Sequence, residues 1–444
     1  MTLDATAGAV RSRLRPRVHF TADDGWINDP YGVVWIEDRY HLFYQAIPGR
    51  VTWAPNCHWG HAESVDLIHW TEQPLALTPQ EFELGCWSGS VVVDDQQPPT
   101  ILYTRIAGSD WAKGKVALAQ GDPGLRTWTT GRGDVVIDGP PAGVDTFRDP
   151  FVFRHRGEWI MVTAAGLADG SGAALQYRSA DLRTWSYDGV LCSRLSTCAD
   201  DVWTGAVWEC PQLFQLGEHW VLLVSVWDAD ELYYTAAAVG DYDGRRFVPR
   251  SWQRLTYGDC AYAVSTFRDR EGRRCVLSWL REEPRNNPAL TERAGAHSVP
   301  AVVTLTDGIV ALSPHPNLDV HPHRLPDTPD GEIHVVREVD AVDVTVPSSS
   351  LGIRIRISET GADRAVLQID PSGGTVRIAR AGFPTGQMPL PEPSAVRILL
   401  DADLLEVFTA ASYGAFRIAP ASEPCATDIA VDGANPDQIE LRAW

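Results

Sequence analysis

Three acidic residues stand in nearly the same local setting: Asp29 in Trp26-Ile27-Asn28-Asp29-Pro30, Asp149 in Phe147-Arg148-Asp149-Pro150, and Glu209 in Trp208-Glu209-Cys210-Pro211. Each comes just before a short apolar run that reads as a buried β-strand bounded by turn residues. Two carboxylates flanking a glycosidic bond can divide the work of breaking it. One attacks the anomeric carbon and the other protonates the departing oxygen. The proton donor benefits from a raised pKa, which burial and neighbouring negative charge supply. Glu209, beside Trp208 and Cys210, fits that role, and Asp29, on an Asn-Asp-Pro turn, fits a rigidly held nucleophile. Asp149, next to Arg148, fits an ionised group that grips sugar hydroxyls. An Asp before Pro often only caps a turn, so the three together carry the argument and no single one does. Calcium is the other chemical use, but acids this isolated do not resemble a ligand loop.

For that chemistry the acids must meet, and a repeat supplies the means. Strand-like runs recur at Leu42, Leu102, Met161, Leu222 and Leu277, in steps of 60, 59, 61 and 55 residues. A second marker, Ser64-Val65-Asp66-Leu67-Ile68-His69-Trp70, returns in Ser179–Trp185 and more loosely in Asp122–Trp128 and Asp241–Phe247. Each unit holds about four short strands; in the third they fall at 150–154, 158–164, 173–178 and 185–192. Helical periodicity is absent. Four-stranded repeats at a fixed spacing predict a β-propeller, here with five blades. The first strand of each blade lines the channel, so Asp29, Ser88, Asp149, Glu209 and Tyr262 are predicted to converge on one rim. Beyond a linker the texture changes to one-faced alternation, as in Ile353–Ile357 and Val396–Leu399, which predicts an antiparallel β-sandwich. The expected layout is all-β: a five-bladed β-propeller at 15–312, a linker at 313–331 and a C-terminal β-sandwich at 332–444.

Composition narrows the partners. A formal charge of −20 argues against nucleic acid and anionic membranes and favours a neutral ligand. No apolar stretch reaches the length of a transmembrane helix, and Met1–Pro16 lacks the apolar core of a signal peptide; a cytoplasmic protein is the expectation. The eight cysteines (57, 86, 192, 198, 210, 260, 275 and 425) include no Cys-x-x-Cys pair, which favours reduced thiols over a disulfide framework. Cys57-His58 alone is a weak zinc signal, and His315, His321 and His323 read as a solvated connector. No metal or cofactor is expected.

At these residues the chain resembles a known family. Trp26-Ile27-Asn28-Asp29-Pro30-Tyr31-Gly32 is similar to the W-M-N-D-P-N-G signature of glycoside hydrolase family 32, the invertase, inulinase and levanase β-fructosidases. Arg148-Asp149-Pro150 matches its R-D-P motif and Glu209-Cys210-Pro211 its E-C-P motif, with Phe43-Tyr44-Gln45, His58–Ala62 and Trp87–Ser90 as landmarks between them. The resemblance implies a retaining β-fructofuranosidase built as a five-bladed propeller plus sandwich. Asp29 would be the nucleophile, Glu209 the acid and then base, and Asp149 the transition-state stabiliser. Asn28, Gln45, Trp53, Ser88 and Arg148 would line the fructose subsite, with Trp87 beside it and Trp279 closing the pocket. Tyr31 stands where the family usually has Asn, and Gln45-Ala46-Ile47-Pro48 lacks the Asn of its Q-x-N-P, so the leaving-group side is left open. The expected substrate is a neutral β-fructofuranoside such as sucrose or a short fructo-oligosaccharide, acted on by a monomer or homodimer. Transfer of fructose to a sugar acceptor, a related five-bladed arabinofuranosidase and a non-enzymatic sugar-binding propeller are the alternatives.

Overall fold

The computed structural model describes residues 15–198, 200, 202–282, 292–320, 322–324, 333–336, 341–348, 352–359, 361–391, 394–419, 427–432 and 439–444. Met1–Leu14, the linker at 325–331, His321 and Cys425 lie outside the described residues. The chain is all-β; one short 3-10 turn, Pro316–Asp319, is the sole helical element among the described residues.

Five antiparallel sheets follow one another along residues 25–314. Their first strands are Gly25–Ile36 (sheet I), Gly85–Asp94 (II), Val144–His155 (III), Val207–Leu216 (IV) and Ala261–Arg268 (V). Each first strand touches the next, and that of sheet V touches that of sheet I. The second strands are covered on both faces, which is why Trp159–Val162 and Val221–Val224 read as continuous apolar runs. Apolar layers separate neighbouring sheets: Ile160 and Val162 of sheet III meet Leu213 and Leu222 of sheet IV. Phe267 and Leu277 of sheet V meet Val33 and Leu42 of sheet I. Arg293–Ala294 pairs in parallel with Gly25–Trp26, so a segment from within the span of sheet V, between Arg274–Leu280 and Ala296–His297, borders the first strand of sheet I.

The recurring Asp-Leu-x-x-Trp marker is a built turn. Asp66 accepts from the backbone N–H of Ile68 and His69, and Asp181 from those of Arg183 and Thr184. Leu67, Leu125 and Leu182 take left-handed φ values of 69°, 58° and 64°, a conformation uncommon for leucine. Burial of their side chains repays that cost, and the indole N–H of Trp70, Trp128 and Trp185 closes each turn onto the leucine carbonyl.

C-terminal to these, a six-stranded and a seven-stranded sheet share an apolar core that includes Ile355, Leu367 and Ile378 from one and Val344, Ile398 and Val407 from the other. Thr256–Gly258, inside the 15–312 span expected for the propeller, instead joins the seven-stranded sheet, parallel to Tyr413–Ala415. Gly258 (φ 87°) permits it, because a Cβ there would lie 2.0 Å from the Ala415 carbonyl oxygen. Ser313 and Pro314 finish the last strand of sheet V. His315 is not solvated as expected: it is fully buried, its Nε2 3.0 Å from Asp269.

The two parts are tied by buried ions. His19, from the segment before sheet I, lies between Asp401 (Nδ1 to Oδ2, 2.8 Å) and Glu406 (Nε2 to Oε2, 2.7 Å), both on strands of the seven-stranded sheet. Burial alone would lower the His19 pKa, but Glu406 and Asp401 outweigh it and raise it to about 10. Glu406 also accepts from Val299 N–H at 3.1 Å and from the Tyr413 hydroxyl, joining sheet V to the same cluster. A histidine held above its unfolded pKa contributes stability that is complete below about pH 6.5 and lost as pH rises through about 10. Replacing it strands two buried carboxylates, a cost of about 3–5 kcal/mol. His19→Gln should therefore lower Tm most near pH 6, with the gap to the parent narrowing towards pH 10; a gap independent of pH in thermal melts would refute the ion triad.

Candidate active site

The five first strands share one irregularity. Ladder pairing breaks after Ile27, Trp87, Arg148, Glu209 and Tyr262 and resumes at Pro30, Gly89, Phe151, Gln212 and Ser265. These bulges turn side chains out of the ladder towards the ring's interior. Pro150 and Pro211 sit inside two of them, where no N–H is needed for the ladder. Asp149 (φ 56°), Cys210 (46°) and Ala263 (50°) occupy the left-handed region at the matching point of sheets III, IV and V. Non-glycine residues held there store strain of about 1–3 kcal/mol each. The acids are thus one residue out of strict equivalence: Glu209 is the last paired residue before its bulge, and Asp149 the first within its own. Asp29 lies inside a strand that starts at Gly25, not at the turn preceding one.

The bulges bring the acids into one cavity of about 560 Å³. Asp29 accepts from Asn28 Nδ2 at 2.9 Å and from Ser88 Oγ at 2.6 Å. Asn28 is itself fixed by Trp26 Nε1 and Gln45 Nε2, each 3.0 Å from its Oδ1. Asp149 accepts from Cys210 N–H at 3.0 Å. Glu209 accepts from the Tyr262 hydroxyl at 2.7 Å, and its other oxygen is 3.1 Å from Arg148 Nε. Burial, then the nearby carboxylates, push the Cys210 thiol well above its ordinary range, so it stays a donor, 3.4 Å from Asp29 and 3.7 Å from Asp149.

Arg148 is the one cation on this wall among the described residues, against four acids when Asp230 is included. Burial and then Glu209 push Asp149 up to about 7, with Arg148 opposing; burial also raises Glu209, which Arg148 and Tyr262 restrain. Burial thus opposes ionisation of both carboxyls, which runs against the expectation that Asp149 stays ionised. A carboxylate fixed by hydrogen bonds beside a protonated one is the donor–nucleophile division that glycoside cleavage needs.

Residues 19–316 match the N-terminal domain of glycosyl hydrolases family 32. The chain belongs to glycosyl hydrolase family 32. Its relatives include the levanase of Bacillus subtilis, 31% identical over 89% of this chain and 64% of that protein, and the raffinose invertase of Escherichia coli, 28% identical over 88% and 86%. The match to the Escherichia coli sucrose-6-phosphate hydrolase, 36% identical, covers 60% of this chain and 57% of that protein. In structure the chain resembles a Bombyx mori family 32 β-fructofuranosidase, with TM-score 0.82, 25% identity and coverage of 98% and 95%. It is a glycoside hydrolase of the β-fructofuranosidase type.

All ten residues singled out in this family 32 chain line the cavity: Asp29, Asp149 and Glu209, with Asn28, Gln45, Trp53, Trp87, Ser88, Arg148 and Trp279. Trp26, Trp111, Thr146, Trp227, Asp230 and Leu232 line it too and were not singled out. Trp111 and Asp230, like Trp53, come from connections between the second and third strands of their sheets, where no period operates. The first-strand position of Tyr262 was visible, but its bond to Glu209 was not. Cys57 donates to the Ala54 carbonyl and has no metal-like setting. Two buried groups elsewhere have ligand-type side chains in reach, His41/His61/Glu63 and Asp269/Cys275/His315. Each already holds a guanidinium, Arg126 on Glu63 and Arg273 on Asp269. The seven described cysteines are free.

A carboxyl raised above its unfolded pKa stabilises the fold fully below about pH 4 and loses that contribution as pH rises through about 7. Asp149→Asn should therefore raise Tm at pH 8, leave it nearly unchanged at pH 4, and abolish turnover. A Tm at pH 8 below that of the parent would contradict the crowding of charge.

Proposed function

We propose that this family 32 hydrolase releases terminal β-D-fructofuranosyl units from sucrose and short fructo-oligosaccharides through a covalent fructosyl-enzyme. In this reading the fold is a five-bladed β-propeller, the ring of sheets I–V, followed by a β-sandwich. Asp29 attacks the anomeric carbon; Glu209 protonates the leaving oxygen and then deprotonates the incoming water; Asp149 and Arg148 hold fructose hydroxyls. The observation that carries it is the meeting of the three acids on one wall, with Asp29 oriented by Asn28 and Ser88 and ionisation of Asp149 and Glu209 opposed by burial.

The mouth fits a leaving group that is a neutral sugar. Trp53 and Trp111, 40% and 41% exposed, meet edge to face with ring centroids 6.2 Å apart and offer apolar faces to a pyranose or a further fructose. The Bombyx mori relative has been described in complex with sucrose, and a Cichorium intybus fructan 1-exohydrolase with 1-kestose.

Asp29→Ala and Glu209→Ala should leave the thermal melt intact, the first abolishing sucrose hydrolysis and the second cutting kcat by about 10²–10⁴; near-full activity in either would refute the roles assigned. With four acids facing one arginine, sucrose should be preferred to sucrose 6-phosphate by about tenfold or more in kcat/KM. The reverse order in a side-by-side assay would remove the case for a neutral substrate.

A further inference from the structure

A second cavity, of about 380 Å³, lies on the continuations of the same five first strands, beyond the bulges. Tyr31 borders it, while the Tyr31 hydroxyl donates to Gln45 on the catalytic side at 2.8 Å. In a protein of formal charge −20, its described wall contains no acidic side chain but carries Arg154, Arg268 and Arg274. Arg154 is paired with Asp94 at 2.9 Å. The other two have no carboxylate partner among the described residues. Arg268 and Arg274 stand directly opposite one another across the ladder of sheet V, a placement that is unfavourable for like charges. Arg268 donates to the Gly272 carbonyl, and Arg274 lies over the Phe214 ring at 4.9 Å with its buried Nε lacking any hydrogen-bond partner. Burial and the charge of Arg268 draw the Arg274 pKa down to about 10. Beside these cations Phe151, Phe153, Phe214 and Trp220 form an aromatic wall.

We propose that this cavity is a binding site for a small phosphorylated metabolite, its phosphate between Arg268 and Arg274 and its body against the aromatic wall. A phosphate dianion removes the repulsion between two facing guanidiniums and supplies acceptors in the bidentate geometry that guanidinium favours. Four rings give a ligand body more to pack against than a bare anion could use. The site is independent of the fructosidase reading, since none of these residues lines the catalytic cavity.

Calorimetric titration of the full chain at fixed ionic strength tests it, with inorganic phosphate, glucose 6-phosphate and adenosine 5′-monophosphate as probes. At least one ester should bind saturably at one site, more tightly than inorganic phosphate. Arg268→Gln and Arg274→Gln should each weaken it by about tenfold or more while sucrose turnover is unchanged, and Asp29→Ala should bind like the parent. Arg268 is exposed, so its variant remains informative should Arg274→Gln fold poorly. Heats no larger than with matched chloride, binding that survives both arginine changes, or esters no tighter than inorganic phosphate would each overturn the assignment.

Discussion

Three carboxylates share a cavity that offers them a single guanidinium, and much of the surrounding structure exists to hold that imbalance in place. Left to themselves, buried like charges would separate or draw in water. Here they sit on strands that each pair with a covered second strand and pack against the first strands of neighbouring sheets, so relaxation would have to disturb the ring. The crowding instead raises the pKa values of Asp149 and Glu209, favouring their protonated forms. The acids differ in their surroundings: Asp29 accepts from Asn28 and Ser88, whereas Asp149 and Glu209 have their ionised forms opposed by burial.

The bulge is the local device. By interrupting the ladder at one level in five strands, it redirects side chains that would otherwise alternate across a sheet, and it does so where Asp-Pro and Cys-Pro already exclude regular pairing. The left-handed backbone of Asp149 and Cys210 is affordable because the inter-sheet layers and the ionic tie through His19 hold the frame independently of the site.

This explains what was legible beforehand. Asp-Pro and Glu-Cys-Pro ahead of apolar runs, spaced at multiples of one repeat, put Asp29, Asp149 and Glu209 on one predicted rim, so their positions could be read from spacing and residue type, whereas the bulges that aim them could not. The same logic located the Asp-Leu-x-x-Trp turns, whose hydrogen bonds are local. Trp111, Trp227 and Asp230 escaped because residues at strand ends and in connections obey no period. The charge state of Asp149 escaped because it depends on distances to Glu209 and Arg148, and the defection of Thr256–Gly258 to the C-terminal sheet because a parallel partner more than 150 residues away leaves no mark on three residues of sequence.

The parallel pairing of Arg293–Ala294 with Gly25–Trp26 has a consequence for synthesis. Sheet I is made first, yet the border of its first strand is supplied by residues translated only after the first two strands of sheet V. Until then a growing chain emerges from the ribosome with an open strand edge and the apolar face destined for sheet V uncovered. Premature termination anywhere before this segment leaves that adhesive edge in solution, so chaperone demand falls most heavily on nascent chains that stop short of the seam.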